Sequence, residues 1–374
     1  MTYSRRTSSL FTTSLLLAAT LGLAACDGNE TTGTGGTGGA GGAGGDTTTT
    51  SDGGGETGGD TTTTTDGGGG TGGIAKPEAS VLVELDPAKF ELPEGLAIDG
   101  NTAYVGYAFT GAVEKIDLTT GERSPFVQTP PPPPNTSFVT GIGLDANKQV
   151  HAAFVSFTAD AQAGIYRAPA AGGEATLFAS NPNMVFPNGL AWDDKGSLYV
   201  TGSAYGGVFK IAPDGTTTAW VKDDLLAGDP PACGQPADAL SVGANGLVWT
   251  KDALFIASSD QGLVAKVPVL ADGSAGAVEV LAGPDCDNLG GLDGITLDDD
   301  GSLVGAVNRS NKLVRIGKDG TVEVLFEGAP LDFPASLAFA GQGADRALYV
   351  TSFGLGEFLA GGNPKPAIVK VKLP

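Results

Sequence analysis

"FPNGLAWDDKGSLYVTGS", residues 186–203, holds a short apolar run, a turn of Asp, Asp, Lys and Gly, and a second run in which apolar residues alternate. Two strand-like segments around a polar, glycine-bearing turn are the outline of a β-hairpin. The first strand opens on Asn188, a polar side chain where burial is expected. An amide carried into a core without partners costs about 1–3 kcal/mol. What Asn188 is for therefore depends on whether the pattern returns elsewhere in the chain.

It occurs six times. "LPEGLAID", "VTGIGLD", "FPNGLAWD", "GANGLVWT", "LDGITLD" and "FPASLAFA" align at Glu94, Thr140, Asn188, Asn245, Asp293 and Ala335, with spacings of 46, 48, 57, 48 and 42 residues. Four positions on stands a large apolar residue: Ile98, Leu144, Trp192, Trp249, Leu297 or Phe339. Each hairpin is followed by a third strand-like run such as "GGVFKIAP", and a fourth is visible in "TVEVLFEG". Four short strands per unit of about 40–50 residues define a propeller blade, and six units define a six-bladed β-propeller, an all-β fold. The last unit ends after its third strand, "AIVKVKLP", while an unassigned strand, "SVLVELDP", precedes the first unit. Residues 80–86 are thus expected to complete the sixth blade and cover its edge.

The segments before the propeller read differently. Residues 1–25 carry Arg5 and Arg6 and then an apolar run of small residues, the outline of a signal peptide. The run ends in "LAAC", which resembles the lipobox of bacterial lipoproteins; that resemblance implies a lipidated Cys26. Firm anchoring would need more than one acyl chain. Residues 26–75, the cysteine and a Gly- and Thr-rich stretch with almost nothing apolar, are expected to form a disordered tether. Residues 76–374 form the propeller domain. The expected location is the bacterial cell envelope, with the domain lipid-anchored to a membrane, outside the cytoplasm and monomeric. The formal net charge is −21, and only seven of the 42 acidic residues fall in 27–75. Such an acidic domain is a poor partner for nucleic acid and suits a divalent cation.

In a propeller the residue before each "GL" starts the innermost strand, so six such residues ring the central channel. Glu94, Asn188, Asn245 and Asp293 bring two carboxylates and two amide oxygens to one axis. Hard oxygen donors without His or Cys suit calcium, which takes 6–8 oxygens and leaves places for water or substrate. With this ring, residues 80–374 resemble the gluconolactonase, regucalcin and paraoxonase superfamily of calcium-dependent six-bladed propellers. The resemblance implies that Glu94, Asn188, Asn245 and Asp293 are the metal ligands. It further implies hydrolysis of a lactone or ester through a polarised carbonyl and an activated water, with Asp293 as ligand and base. The loops after the second strands add Ser203, Ser259, Asp260, Asn308, Arg309 and Ser352. Arg309 is a candidate to clamp a carboxylate or steady an oxyanion, with a solvated surface role as the alternative.

The chain departs from part of that superfamily in having one histidine, His151, which stands where other blades place Tyr104, Tyr199, Phe255 and Tyr349. It is read as a packing residue, and a Ser-His-Asp hydrolase is disfavoured. Asp99, Asp145, Asp193 and Asp298 are assigned to turns on the opposite face. Cys233 and Cys286 fall in loops leading into adjacent inner strands, and export favours a disulfide between them over two free thiols. A non-catalytic surface propeller that binds glycan or protein is the competing class.

Overall fold

The structure is a computed structural model that describes residues 77–373. The expected signal peptide, the lipidated Cys26 and the tether all lie outside the described residues. Six antiparallel sheets follow one another along the chain. Their inner strands are Pro93–Asp99, Ser137–Leu144, Pro187–Trp192, Ala244–Trp249, Leu292–Leu297 and Pro334–Ala340. The second strands are Thr102–Tyr107, Val150–Ser156, Leu198–Gly202, Ala253–Ser258, Leu303–Val307 and Ala347–Ser352. The protein is a six-bladed β-propeller.

Ring closure follows the expected plan. Strand Glu78–Glu84 pairs antiparallel with Ala367–Lys372 and becomes the outer strand of blade 6. It begins two residues earlier than the sequence indicated, and a bulge between Val81 and Val83 accommodates its bend. A two-residue strand, Gly173–Glu174, also pairs in parallel with the outer strand Arg123–Gln128 of blade 1, which ties blade 2 to its neighbour. Among the described residues no helix is long and apolar enough to cross a membrane.

Period-two alternation explains how the blades hold together. In the second strand of blade 3, Leu198 and Val200 face blade 2, whereas Tyr199 faces blade 4. Both faces of the strand are therefore buried. Each gap between adjacent blades contains one apolar cluster, including the gap between blades 6 and 1, where Tyr349 and Ile368 meet Val105 and Ile116. Outer strands such as Thr217–Lys222 are half exposed.

His151 occupies one of these gaps, edge-on to Phe178 and Trp192 at 5.3 Å from each. This is the packing role read from the sequence. Burial pushes its pKa down, opposed by the Asp145 carboxylate 3.4 Å from Nε2. The unfolded chain titrates near the ordinary value of about 6.5, so below that pH the unfolded state binds a proton that the folded state resists. Stability is fully present above about pH 6.5 and is lost as pH falls, at up to about 1.4 kcal/mol per pH unit. His151→Phe is expected to reduce the fall in urea midpoint between pH 7.5 and pH 5 relative to the parent. Equal falls in both proteins would contradict it.

Candidate metal centre

The ladder between inner and second strands breaks at the same place in every blade. In blade 3 the pairing jumps from Pro187 to Leu190, and in blade 5 from Leu292 to Ile295. The skipped pairs are the ring residue and its successor: Glu94–Gly95, Thr140–Gly141, Asn188–Gly189, Asn245–Gly246, Asp293–Gly294 and Ala335–Ser336. A bulge bends the strand and re-aims a side chain, so the repeat that marks a blade also frees one residue per blade from the ladder. The glycines are needed because the strand starts nearly touch. A Cβ on Gly246 would stand 2.5 Å from the Asp293 carbonyl oxygen, and one on Gly189 would stand 2.7 Å from that of Asn245.

All four expected ligands are buried at these starts: Glu94, Asn188, Asn245 and Asp293 are 3–8% exposed. Hydroxyl groups fix how the amides face. Ser259 Oγ donates to the Leu292 carbonyl at 2.6 Å, and Asn245 Nδ2 donates to Ser259 Oγ at 3.0 Å. A hydroxyl has one proton to give, so the amide must present nitrogen to the serine and turn its oxygen elsewhere. Ser203 repeats the device in blade 3, donating to Ala244 and accepting from Asn188 Nδ2. The Thr140 hydroxyl of blade 2 gives its one proton to the Pro187 carbonyl at 2.8 Å and so donates no hydrogen bond to the channel.

Two ring oxygens, Glu94 Oε2 and Asn245 Oδ1, are buried without any hydrogen-bond partner. Buried polar atoms in folded proteins are almost always satisfied, so this pair requires an explanation. Burial raises the Glu94 pKa well above the carboxylate range, and the charge of Asp293 raises it further. Burial likewise lifts Asp293, to about 7, against the Asn308 and Asn245 amides and the Arg309 guanidinium. Among the described residues no three His, Cys, Asp or Glu side chains gather around one point. A cation here must therefore draw on amide oxygens as well as carboxylates. This all-oxygen set with two carboxylates, two of its oxygens unsatisfied, fits a hard divalent ion such as calcium.

Asn308 and Arg309 lie immediately after the second strand of blade 5. Asn308 Nδ2 donates to Asp293 Oδ2 at 3.1 Å, a contact the sequence did not assign. Arg309 Nη2 donates to Asp260 Oδ1 at 2.6 Å, and Asp260 is wholly buried, with Oδ2 accepting from the Val242 backbone N–H. Arg309 is therefore held in place, not a free surface cation, and its Nη1 is buried without a partner. Ser352 is engaged elsewhere, bonded to the backbone of Asp332.

Cys233 and Cys286 form a disulfide with an S–S distance of 2.07 Å. It joins the loops before the inner strands of blades 4 and 5, beside Gly262. On the opposite face Asp145 and Asp193 accept backbone N–H bonds within their own turns, as expected of turn residues. A cavity of about 430 Å³ between blades 2 and 3, lined by His151, Trp192 and Arg167, also opens there, remote from the ring.

Fold and ring together define a propeller whose buried strand starts carry two carboxylates and two amides toward the channel. Residues 231–354, which include Asn245, Asp293 and Arg309, match the family model described as the SMP-30/gluconolactonase/LRE-like region. The resemblance to the gluconolactonase superfamily is thereby supported. No curated protein matches the chain. Among solved structures, one titled a putative gluconolactonase superposes with a TM-score of 0.57 at 18% identity, covering 80% of this chain and 93% of the other. A gluconolactonase from Xanthomonas campestris gives 0.54 at 16% identity, covering 76% and 86%. An auxiliary nutrient binding protein from Bacteroides ovatus gives 0.57 at 12% identity, covering 80% and 77%. At such identities these structures testify to the fold.

Proposed function

We propose that the protein is a calcium-dependent hydrolase of the gluconolactonase type, acting on a lactone or ester, and that it is held at the bacterial envelope through Cys26. The observation that carries the catalytic reading is the pair of buried, unsatisfied oxygens on Glu94 and Asn245 in a ring that also contains Asp293. Glu94, Asn188, Asn245 and Asp293 would hold the ion. Bound there, calcium supplies Lewis-acid polarisation of the substrate carbonyl.

The chain's own groups supply the remaining chemistry. Asn308 holds one oxygen of Asp293 and so orients the carboxylate. Asp293 accepts the proton of the attacking water and returns it to the departing alkoxide, so water adds across the ester bond and no other reactant is consumed. Arg309, fixed by Asp260, offers the unpartnered Nη1 to the oxyanion that forms at the attacked carbonyl. The site has no histidine to serve as base, so the role falls to a ring carboxylate, and Asp293, oriented by Asn308, takes it.

The test is a panel of γ- and δ-lactones and acetate esters, with acid release followed for the full chain in calcium and in EGTA, beside a calorimetric calcium titration. Calcium binding with EGTA-sensitive turnover is expected. Binding of calcium without turnover of any member would favour a ligand-binding propeller, a class suggested by the nutrient-binding protein of the same fold.

A further inference from the structure

We propose that the cavity on the face opposite the ring, between blades 2 and 3, is a second ligand site that takes a small hydroxylated aromatic monocarboxylate. Strand register shows why a cavity forms there. His151 of blade 2 pairs with Gly143 on one side and Arg167 on the other, and Tyr199 of blade 3 pairs likewise with Ala191 and Lys210. Phe178 and Trp220 correspond in the same way, each being the residue that the outer strand's pairing skips. Between blades 3 and 4 the set closes on itself. Tyr199 stacks on Trp249 at 4.8 Å, meets Trp220 edge-on at 5.2 Å and carries Lys210 over its ring at 4.9 Å. Between blades 2 and 3 the smaller imidazole stands in the tyrosine's place, and about 430 Å³ is left open. That volume suits a small-molecule ligand.

Two groups at this cavity lack the partners their chemistry calls for. The His151 side chain is only 3% exposed. With the Asp145 carboxylate 3.4 Å from Nε2, that nitrogen carries the proton and Nδ1 is left as an acceptor. Nδ1 is buried without a hydrogen-bond partner, so it calls for a donor. Arg167 lays its guanidinium over the Phe178 ring, 4.1 Å from the centroid, and pairs with no carboxylate among the described residues. Its planar fork of donors matches a carboxylate. Phe178 and Trp192, both half-buried, offer aromatic surface to a flat ring, and buried Leu198 and Ile211 add apolar lining. Asp145, Asp193 and Asp194 line the cavity too, and they repel a dianion such as phosphate. Asp145 and Asp193 are committed to their own turns and to His151 and Lys210, so a single negative charge beside Arg167 is tolerated. A hydroxyl on the same ring completes the match by donating to Nδ1.

The test titrates the full chain in EGTA, which keeps calcium from the ring, with 3- and 4-hydroxybenzoate, benzamide, cyclohexanecarboxylate and inorganic phosphate. Binding is followed by calorimetry and by the imidazole nitrogen resonances. The chain has one histidine, so those resonances report on this cavity alone. A hydroxybenzoate should bind with a Kd on the order of 0.1–1 mM, the range for about ten heavy atoms, and shift the Nδ1 resonance saturably. Benzamide, cyclohexanecarboxylate and phosphate should bind at least about tenfold more weakly. Arg167→Gln should lower hydroxybenzoate affinity about tenfold, with Arg167→Lys retaining part of it. His151→Tyr, which gives blade 2 the residue of blade 3, should close the cavity and abolish binding while the fold is kept. The proposal is overturned by the absence of saturable hydroxybenzoate binding, by binding that leaves the Nδ1 resonance unmoved, or by affinity unchanged in Arg167→Gln. Equal affinity for benzamide, cyclohexanecarboxylate or phosphate overturns it as well.

Discussion

Asp293→Ala is expected to lower calcium affinity at least about a hundredfold and to abolish hydrolysis. The side chain is one of two carboxylates in the ring, and ligand charge count is a main determinant of calcium affinity. Its loss also removes the proposed base and leaves Asn308 Nδ2 without its acceptor. Asn188→Ala removes a neutral donor and should weaken binding about tenfold. Asp99→Ala changes a half-exposed carboxylate paired with Lys148 on the far face and should leave calcium binding unchanged. The stability of the Asp293 variant should move the other way. Without a cation, burial opposes the charge of Asp293, raising its pKa to about 7. In EGTA the variant should therefore melt no lower than the parent, and in calcium it should melt lower. Calorimetric titration and thermal melts in both conditions check this. Parental calcium affinity in the Asp293 variant would defeat the metal reading.

Gly246→Ala is expected to be a strongly damaging substitution in the ring. The new Cβ would stand 2.5 Å from the Asp293 carbonyl oxygen and 2.8 Å from both Gly294 Cα and Ile295 N. All three are backbone atoms, so no side chain can turn aside, and blades 4 and 5 must separate. Overpacking of this kind costs about 1–3 kcal/mol and sometimes more. The shift also parts Asn245 from Asp293, so calcium affinity should fall together with stability. Urea unfolding in EGTA separates the two effects, because it reads the packing term without the metal. An unchanged urea midpoint would show that the strand starts are looser than described.

The repeat made most of the fold legible. Six apolar hairpins at near-even spacing leave few alternatives to a propeller, and the surplus strand at 80–86 pointed to its partner across the ring. The ring residues were legible because each stands beside a glycine or, once, a serine in an otherwise apolar run. The bulge that frees them is invisible in composition: Asn188 and Leu190 read as one strand until the pairing is known. Asn308 was seen only as a loop residue, and Arg309 as a candidate clamp without a protein partner. Their contacts with Asp293 and Asp260 depend on how two loops from different blades approach, and no local periodicity encodes that.

The pairing of strand Glu78–Glu84 with Ala367–Lys372 has a consequence for how the molecule comes into being. The covalent gap in the circle falls inside blade 6, where backbone hydrogen bonds and apolar packing cross it, and every junction between successive blades from 1 to 6 is bridged by the chain itself. The final contacts join residues nearly 300 positions apart, a separation that slows folding because the loop must close before the contacts reward it. Glu94 belongs to the first blade, and its carbonyl is held by Thr351 of the last. A chain emerging from its N-terminus can therefore complete blades 1 to 5 in turn, yet its ligand ring stays open until the last blade arrives. The proposed cation would then bind only once the circle has closed.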